Sequence, residues 1–210
     1  TSFSITLSRL ISIKTDKNVL YLSLDKIDDS HRYMNSNSCY KSSKEEYFFM
    51  KEEGLEVNFR EYLLKDQWNV NYFAHGNVKN FFGNENGKSR ILDYIKSEDY
   101  FDYIIIDFGK IPLIEQKGID IKIQLVSQNL MQDLSKEPVE DVLKVINFSE
   151  FSGGNGKFFY VKNSIESFVK IDGKIDISME SEFAESVEKF VETNELMWLD
   201  WEKKMQIMSE

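Results

Sequence analysis

Two apolar runs that each close on an aspartate constrain this chain more than any other feature. VLYLSLD, residues 19–25, and the YIIID of FDYIIIDFG, residues 101–109, are short and lack the alternation of a half-solvated strand. Such runs are buried on both faces, as strands are inside a parallel sheet covered by helices. Their closing acids, Asp25 and Asp107, fall where the sheet would meet solvent.

The segments around these runs alternate in kind. SFSITLSRLISI, 2–13, spaces Phe3, Ile5, Leu7, Leu10 and Ile11 as an amphipathic helix, and KTDKN breaks it. A polar, Ser- and Asn-bearing stretch is expected to continue as loop to about residue 44. GLEVNFREYLL, 54–64, reads as a short helix, and NVNYFAHG, 69–76, as a strand with a glycine exit. Another helix at about 87–98 leads into the strand ending at Asp107. IKIQLVSQN, 121–129, and GKFFYVKN, 156–163, read as strands. Between them SKEPVEDVLKVINF, 135–148, reads as a helix with Ser135 as its cap and Pro138 in its first turn. A helix over about 182–193 and an amphipathic tail complete the chain. Strands alternating with helices predict an α/β fold, a three-layer sandwich around a mostly parallel central sheet, in a single domain over 1–210.

Composition narrows the functional classes. A chain of 210 residues, 41% hydrophobic, can bury a substantial core. Its 36 acidic and 26 basic residues give a net charge of -10, which disfavours direct DNA binding. Cys39 is the only cysteine, so there is no internal disulfide and no structural zinc site at ligand spacing, which fits a reducing cytoplasm. The sequence has no secretory or membrane-spanning run. His31 and His75 lack ligand neighbours and read as surface or turn residues. GNENGKS, 83–89, has its first glycine one residue too near the Gly-Lys pair for a phosphate-binding loop, so it reads as a turn entering a helix. The DFG at 107–109 stands without a kinase catalytic loop and is a chance match.

In parallel α/β sheets, ligands bind outside the carboxyl ends of the strands. Asp25, Asp107 and Asn163 all fall at strand ends of that type. Turn formation and capping are the alternative reason for an Asp or Asn there.

The order of these segments resembles a known family. TSFSITLSRLIS at 1–12, VLYLSLD, NVNYFAHGN at 69–77, YIIID, FFYVKN at 158–163 and KIDISMESEFAESV at 174–187 follow one another as in the ParA/MinD-type P-loop ATPases of the SIMIBI class, whose branches include the CpaE-like proteins. The resemblance implies a P-loop NTPase-like fold with ATP and Mg2+ as cofactors. It implies that the Thr1 hydroxyl ligates magnesium and contributes to nucleotide binding, that Asp107 holds the metal through its water shell, that Asp25 is the catalytic acid orienting the attacking water, and that Asn163 reads the adenine edge. A bacterial, cytoplasmic switch is then expected, one that forms a homodimer on nucleotide and controls the positioning or assembly of a protein partner.

This sequence departs from the family pattern in several places. Ser23 stands where many members carry another acid, Lys26 replaces the usual proline, and Phe108-Gly109-Lys110 replaces a proline-rich turn. The chain as given starts where the phosphate-binding loop would end, so the domain is expected to be N-terminally incomplete and ATP hydrolase activity to depend on that loop. A non-catalytic pseudo-ATPase acting as an interaction module is the alternative. In the tail, 195–208, Glu195, Asp200 and Glu202 offset Lys203 and Lys204, so packing on the domain or a partner is expected rather than membrane binding.

Overall fold

The computed structural model describes residues 2–24, 30–34, 44–73, 92–108, 121–127, 142–149, 153–154, 159–162, 167–171, 174–194 and 196. Two compact units divide the chain: Thr1–Asp120 with Phe168–Ile177, and Ile121–Ser167 with Ser178–Glu210.

The first unit opens on helix α1, Ser2–Thr15, over the segment read as helical from its apolar spacing. The helix is buried on nearly every side, since Thr6, Ser8, Arg9 and Ser12 join Phe3, Ile5, Leu7, Leu10 and Ile11 out of solvent. Two of its hydroxyls bond back along the helix, Ser8 Oγ to the Ser4 carbonyl at 2.8 Å and Thr15 Oγ1 to the Ile11 carbonyl at 2.6 Å. Asp16, left-handed at φ 53°, turns the chain.

Strand β1, Val19–Ser23, follows after three residues and is wholly buried. It pairs in parallel with β4, Tyr103–Asp107, in an unbroken register from Val19↔Tyr103 to Ser23↔Asp107. On its other side it pairs in parallel with β3, Asn71–Phe73, which pairs antiparallel with β2, Leu63–Lys65. The sheet order is β2-β3-β1-β4. Asn71, buried within this sheet, bonds the Val19 carbonyl through Nδ2 at 3.1 Å.

One face of this sheet meets α1, which packs on β1 and β4. The other carries an apolar cluster in which Leu20, Leu22 and Leu24 meet Tyr47 and Phe48 of helix α2, Lys44–Glu52. Tyr47 is its hub, with the rings of Phe48, Phe59, Tyr62 and Phe73 at centroid distances of 5.1, 5.0, 5.4 and 5.5 Å. Helix, sheet and helix thus make three layers within this unit. Residues 92–96, α3, are helical inside the range expected for a helix, and Leu92 and Ile95 join the same cluster.

The helix expected over 54–64 does not form. Gly54, at φ 72°, closes α2, and Asn58 caps only a short 3₁₀ turn, Phe59–Tyr62, before the chain enters β2. The aromatic spacing of that segment serves the cluster instead of a helix face. α2 itself lies just past the expected loop. The unit also contains an antiparallel hairpin, β9, Phe168–Ile171, with β10, Lys174–Ile177, unforeseen although Asp172-Gly173 between them is a hairpin signal.

In the second unit β5, Lys122–Ser127, and β8, Phe159–Lys162, flank β6, Val142–Ser149, both in parallel, and β7, Gly153–Gly154, adds antiparallel to β8. The expected helix over 135–148 is corrected here, because its second half is strand β6. Val142, Val145, Ile146 and Phe148 favour a strand, and pairing on both edges outweighs the cap and proline that suggested a helix. α4, Glu182–Thr193, packs on β8. Ser181 caps it by accepting from the Ala184 N–H, and Phe183, Ala184, Val187, Phe190 and Val191 form its buried stripe.

Candidate functional site

A three-residue return from α1 into β1 sets helix and strand antiparallel, so the first turn of α1 lies at the carboxyl end of β1. The opposite end is pinned by Asn18, whose carbonyl accepts from the N–H groups of Asp102 and Tyr103 at 3.0 and 3.2 Å. At the carboxyl end Ser23 and Asp107 face each other as the last residues of neighbouring parallel strands. Period-two alternation puts both, with Tyr21, on the face that meets α1, while Leu22 and Ile106 turn to the apolar cluster.

Asp107 is held from two directions. Its carboxylate Oδ2 accepts from the Tyr21 hydroxyl at 3.3 Å, and its main-chain carbonyl accepts from the Leu24 N–H at 2.7 Å. Only 9% of its surface is exposed. Beside it the Lys44 ammonium, 2% exposed, donates to the Ser23 carbonyl at 2.9 Å. Lys44, Tyr21, Ser23, Ser30 and Tyr72 help line a cavity of about 10 Å3, room for about one water.

Of the four residues expected to form the site, Asp107 is placed at the carboxyl end of a parallel strand. Thr1, Asp25 and Asn163 lie outside the described residues, as do His75, residues 83–89 and the tail 197–208. The described donors at this edge, Asp107, Ser23 and Tyr21, are all oxygens, the kind that a hard cation such as Mg2+ takes. Among the described residues no group of three or more His, Cys, Asp or Glu could hold a metal ion. No helix among them is long and apolar enough to cross a membrane.

Two contributors escaped the sequence reading. Tyr21 is the polar tip inside an otherwise aliphatic strand, which was its signal. Lys44 opens KEEYFFMKE, where an acidic first turn and a basic last turn mark a helix.

No protein-family model matches the sequence, and no curated protein does. Solved structures do match in fold. A ParA family ATPase from Chlorobium tepidum TLS aligns with TM-score 0.57 at 11% identity, over 91% of this chain and 85% of that one. A plasmid partition protein from Borrelia burgdorferi aligns at TM-score 0.48 and 15% identity, over 91% and 92%. The MinC:MinD cell division complex of Aquifex aeolicus aligns at 0.41 and 16%, over 69% and 62%. The first of these carries the structural comparison, and at its identity it speaks for fold alone. The chain has the α/β fold of that ParA family ATPase.

Proposed function

We propose that this chain is the nucleotide-binding domain of an Mg-ATP switch of the ParA/MinD type, acting in the cytoplasm to control the positioning or assembly of a protein partner. The observation that carries this reading is Asp107, the buried last residue of a parallel strand, in register with Ser23 and braced by Tyr21. An acid so held is oriented before any ligand arrives, which a metal-binding carboxylate requires.

In this reading Asp107 and the Thr1 hydroxyl would hold Mg2+. Asn163 binds the adenine edge, and Asp25 orients the water that attacks the γ-phosphoryl group. Bound Mg2+ neutralises charge on the phosphates. The first turn of α1 contributes main-chain N–H groups at the same end of the sheet. Nucleotide holds two protomers together, and hydrolysis releases them.

A non-catalytic interaction module with the same fold is the second reading. Ser23 favours it, because a hydroxyl stands directly opposite Asp107 where many family members carry an acid. Turnover and binding measured together on the full-length protein separate the two. The switch reading expects Mg-ATP at about 100 times its dissociation constant to stabilise the fold by about 2.7 kcal/mol. It expects Asp25→Ala to abolish phosphate release while ATP still binds. Release undiminished in Asp25→Ala removes that residue from the mechanism, and a full-length protein that neither binds Mg-ATP nor releases phosphate supports the module, which has lost nucleotide.

A further inference from the structure

We propose that the outer face of α2 and its closing turn, centred on Phe49 and Leu55, form a docking surface for a basic amphipathic helix of a protein partner. The inference stands apart from the nucleotide reading, since the surface includes none of the residues assigned to nucleotide or metal.

Its geometry is the first ground. Among the described residues four large hydrophobic side chains are exposed, and two of them, Phe49 at 53% and Leu55 at 48%, belong to the C-terminal end of α2 and its exit. Single exposed apolar residues are ordinary, whereas a contiguous patch marks an interaction site. Gly54, at φ 72°, donates its N–H to the Lys51 carbonyl at 3.1 Å, and Leu55 donates to the Met50 carbonyl at 3.0 Å. That pair of bonds returns the residue after a left-handed glycine to the last helical turn, here beside Met50 and Phe49. Met50 is half-buried, so Phe49, Met50 and Leu55 make one apolar surface. α2 meets its own core through Tyr47 and Phe48, which leaves Phe49 on the outer side.

Its charge is the second, and it selects the occupant. Residues three and four apart are surface neighbours on a helix. For Phe49 those positions are Glu45, Glu46, Glu52 and Glu53, and Glu56 follows Leu55. Lys51, the lysine of this last turn, is held by Glu98 at 3.0 Å. An apolar centre with an acidic rim repels nucleic acid and an anionic lipid surface alike. In a symmetric contact between two copies of this chain the same glutamates would face one another. A helix with apolar residues three and four apart, flanked by Lys or Arg, satisfies both parts of the surface. It buries Phe49 as an aromatic anchor, its cations meet the rim, and the chain's net charge of -10 speeds its approach.

The test uses the full-length protein without nucleotide and a fluorescent synthetic helix of leucines spaced three and four apart with lysines between them, alongside a scrambled peptide of the same composition. Wild type should bind the helix about tenfold or more tighter than the scramble, with amide shifts centred on residues 45–57. Phe49→Ala should weaken the helix by about tenfold or more and keep the melting temperature, because the ring is exposed. Leu55→Ser gives the same reading should Phe49→Ala not fold. Glu45→Gln, Glu53→Gln and Glu56→Gln together should weaken binding and flatten its dependence on salt. Glu46 and Glu52 make other contacts and stay unchanged. Wild type that binds helix and scramble alike, or neither, overturns the proposal, as does a folded Phe49→Ala that binds within about twofold of wild type. A wild-type dimer that Phe49→Ala dissociates in sedimentation assigns the surface to a second copy, and binding to phosphatidylglycerol vesicles that Phe49→Ala abolishes assigns it to a membrane. Either result overturns the helix as occupant.

Discussion

Arg9 of α1 and Asp66, which closes the turn between β2 and β3, form an ion pair in the interior: Nε to Oδ2 is 2.9 Å, and the side chains are 1% and 0% exposed. Both partners are further engaged. Arg9 Nη2 donates to the Tyr33 carbonyl at 2.8 Å, and Asp66 Oδ1 accepts from the N–H groups of Trp68 and Val70 at 2.9 and 3.0 Å. One pair therefore ties α1, the 30–34 segment and the β2–β3 turn together.

Removing one member strands the other's charge. Arg9→Met or Asp66→Asn alone should cost about 3–5 kcal/mol in urea unfolding. The double variant removes both charges and leaves the amide oxygen to accept from Trp68 and Val70, so its loss should fall short of the sum by about 1 kcal/mol or more. Additive losses would show that the two charges do not stabilise each other.

Thr6, on the same helix, is 0% exposed, and among the described residues its Oγ1 has no hydrogen-bond partner. An unpaired buried hydroxyl costs about 1–3 kcal/mol, and valine keeps its shape without the oxygen. Thr6→Val should leave the melting temperature unchanged or raise it. A clear fall would mean that the hydroxyl is bonded in solution.

Tyr47 gives an alkaline signature. Burial, and next the Glu98 carboxylate that accepts from its hydroxyl at 3.1 Å, push the phenol well above its usual range. The folded protein keeps this proton while the unfolded chain releases it near pH 10. The stabilisation is therefore complete below about pH 10 and declines above it, because only the unfolded state ionises there. Tyr47→Phe should lose about 1 kcal/mol at neutral pH and then fall less steeply than wild type in alkaline unfolding titrations. Parallel curves across that range would contradict the assignment.

Ser181 offers a test in the second unit. Its hydroxyl accepts from the Ala184 N–H at 3.3 Å at the start of α4. Ser181→Ala should cost about 1 kcal/mol in denaturant unfolding, and Ser181→Asp should recover most of it. Equal stability of all three would mean that the cap contributes nothing.

Much of the fold was legible because burial writes itself into composition. VLYLS reads as a strand covered on both faces and is wholly buried, whereas YIII, read the same way, pairs with it in parallel but is only half-buried. α1 was legible from its apolar spacing, and α4 from its stripe beginning at Phe183. β6 was not, because Ser135 and Pro138 carry local helix signals whereas the deciding interaction is pairing with β5 and β8, whose sequence positions are remote. Phe59 and Tyr62 misled for a related reason: aromatic residues three apart suit a helix face, yet here they fill a cluster around Tyr47. At the site, Asp107 could be read from its place after an apolar run. Lys44 could not, because the bond to Ser23 spans 21 residues and nothing local announces it.

Equilibrium binding of ATP to the full-length protein, with Mg2+ and with excess EDTA, in wild type and Asp107→Asn, tests the nucleotide site most directly. Asparagine keeps the size of the side chain and an acceptor for the Tyr21 hydroxyl, so folding should persist. Wild type should bind ATP in a Mg2+-dependent way, and Asp107→Asn should lose most of that dependence, weakening Mg-ATP by about tenfold or more. Wild type that fails to bind Mg-ATP, or a folded Asp107→Asn that binds it as tightly with the same metal requirement, would contradict a nucleotide site at this strand end.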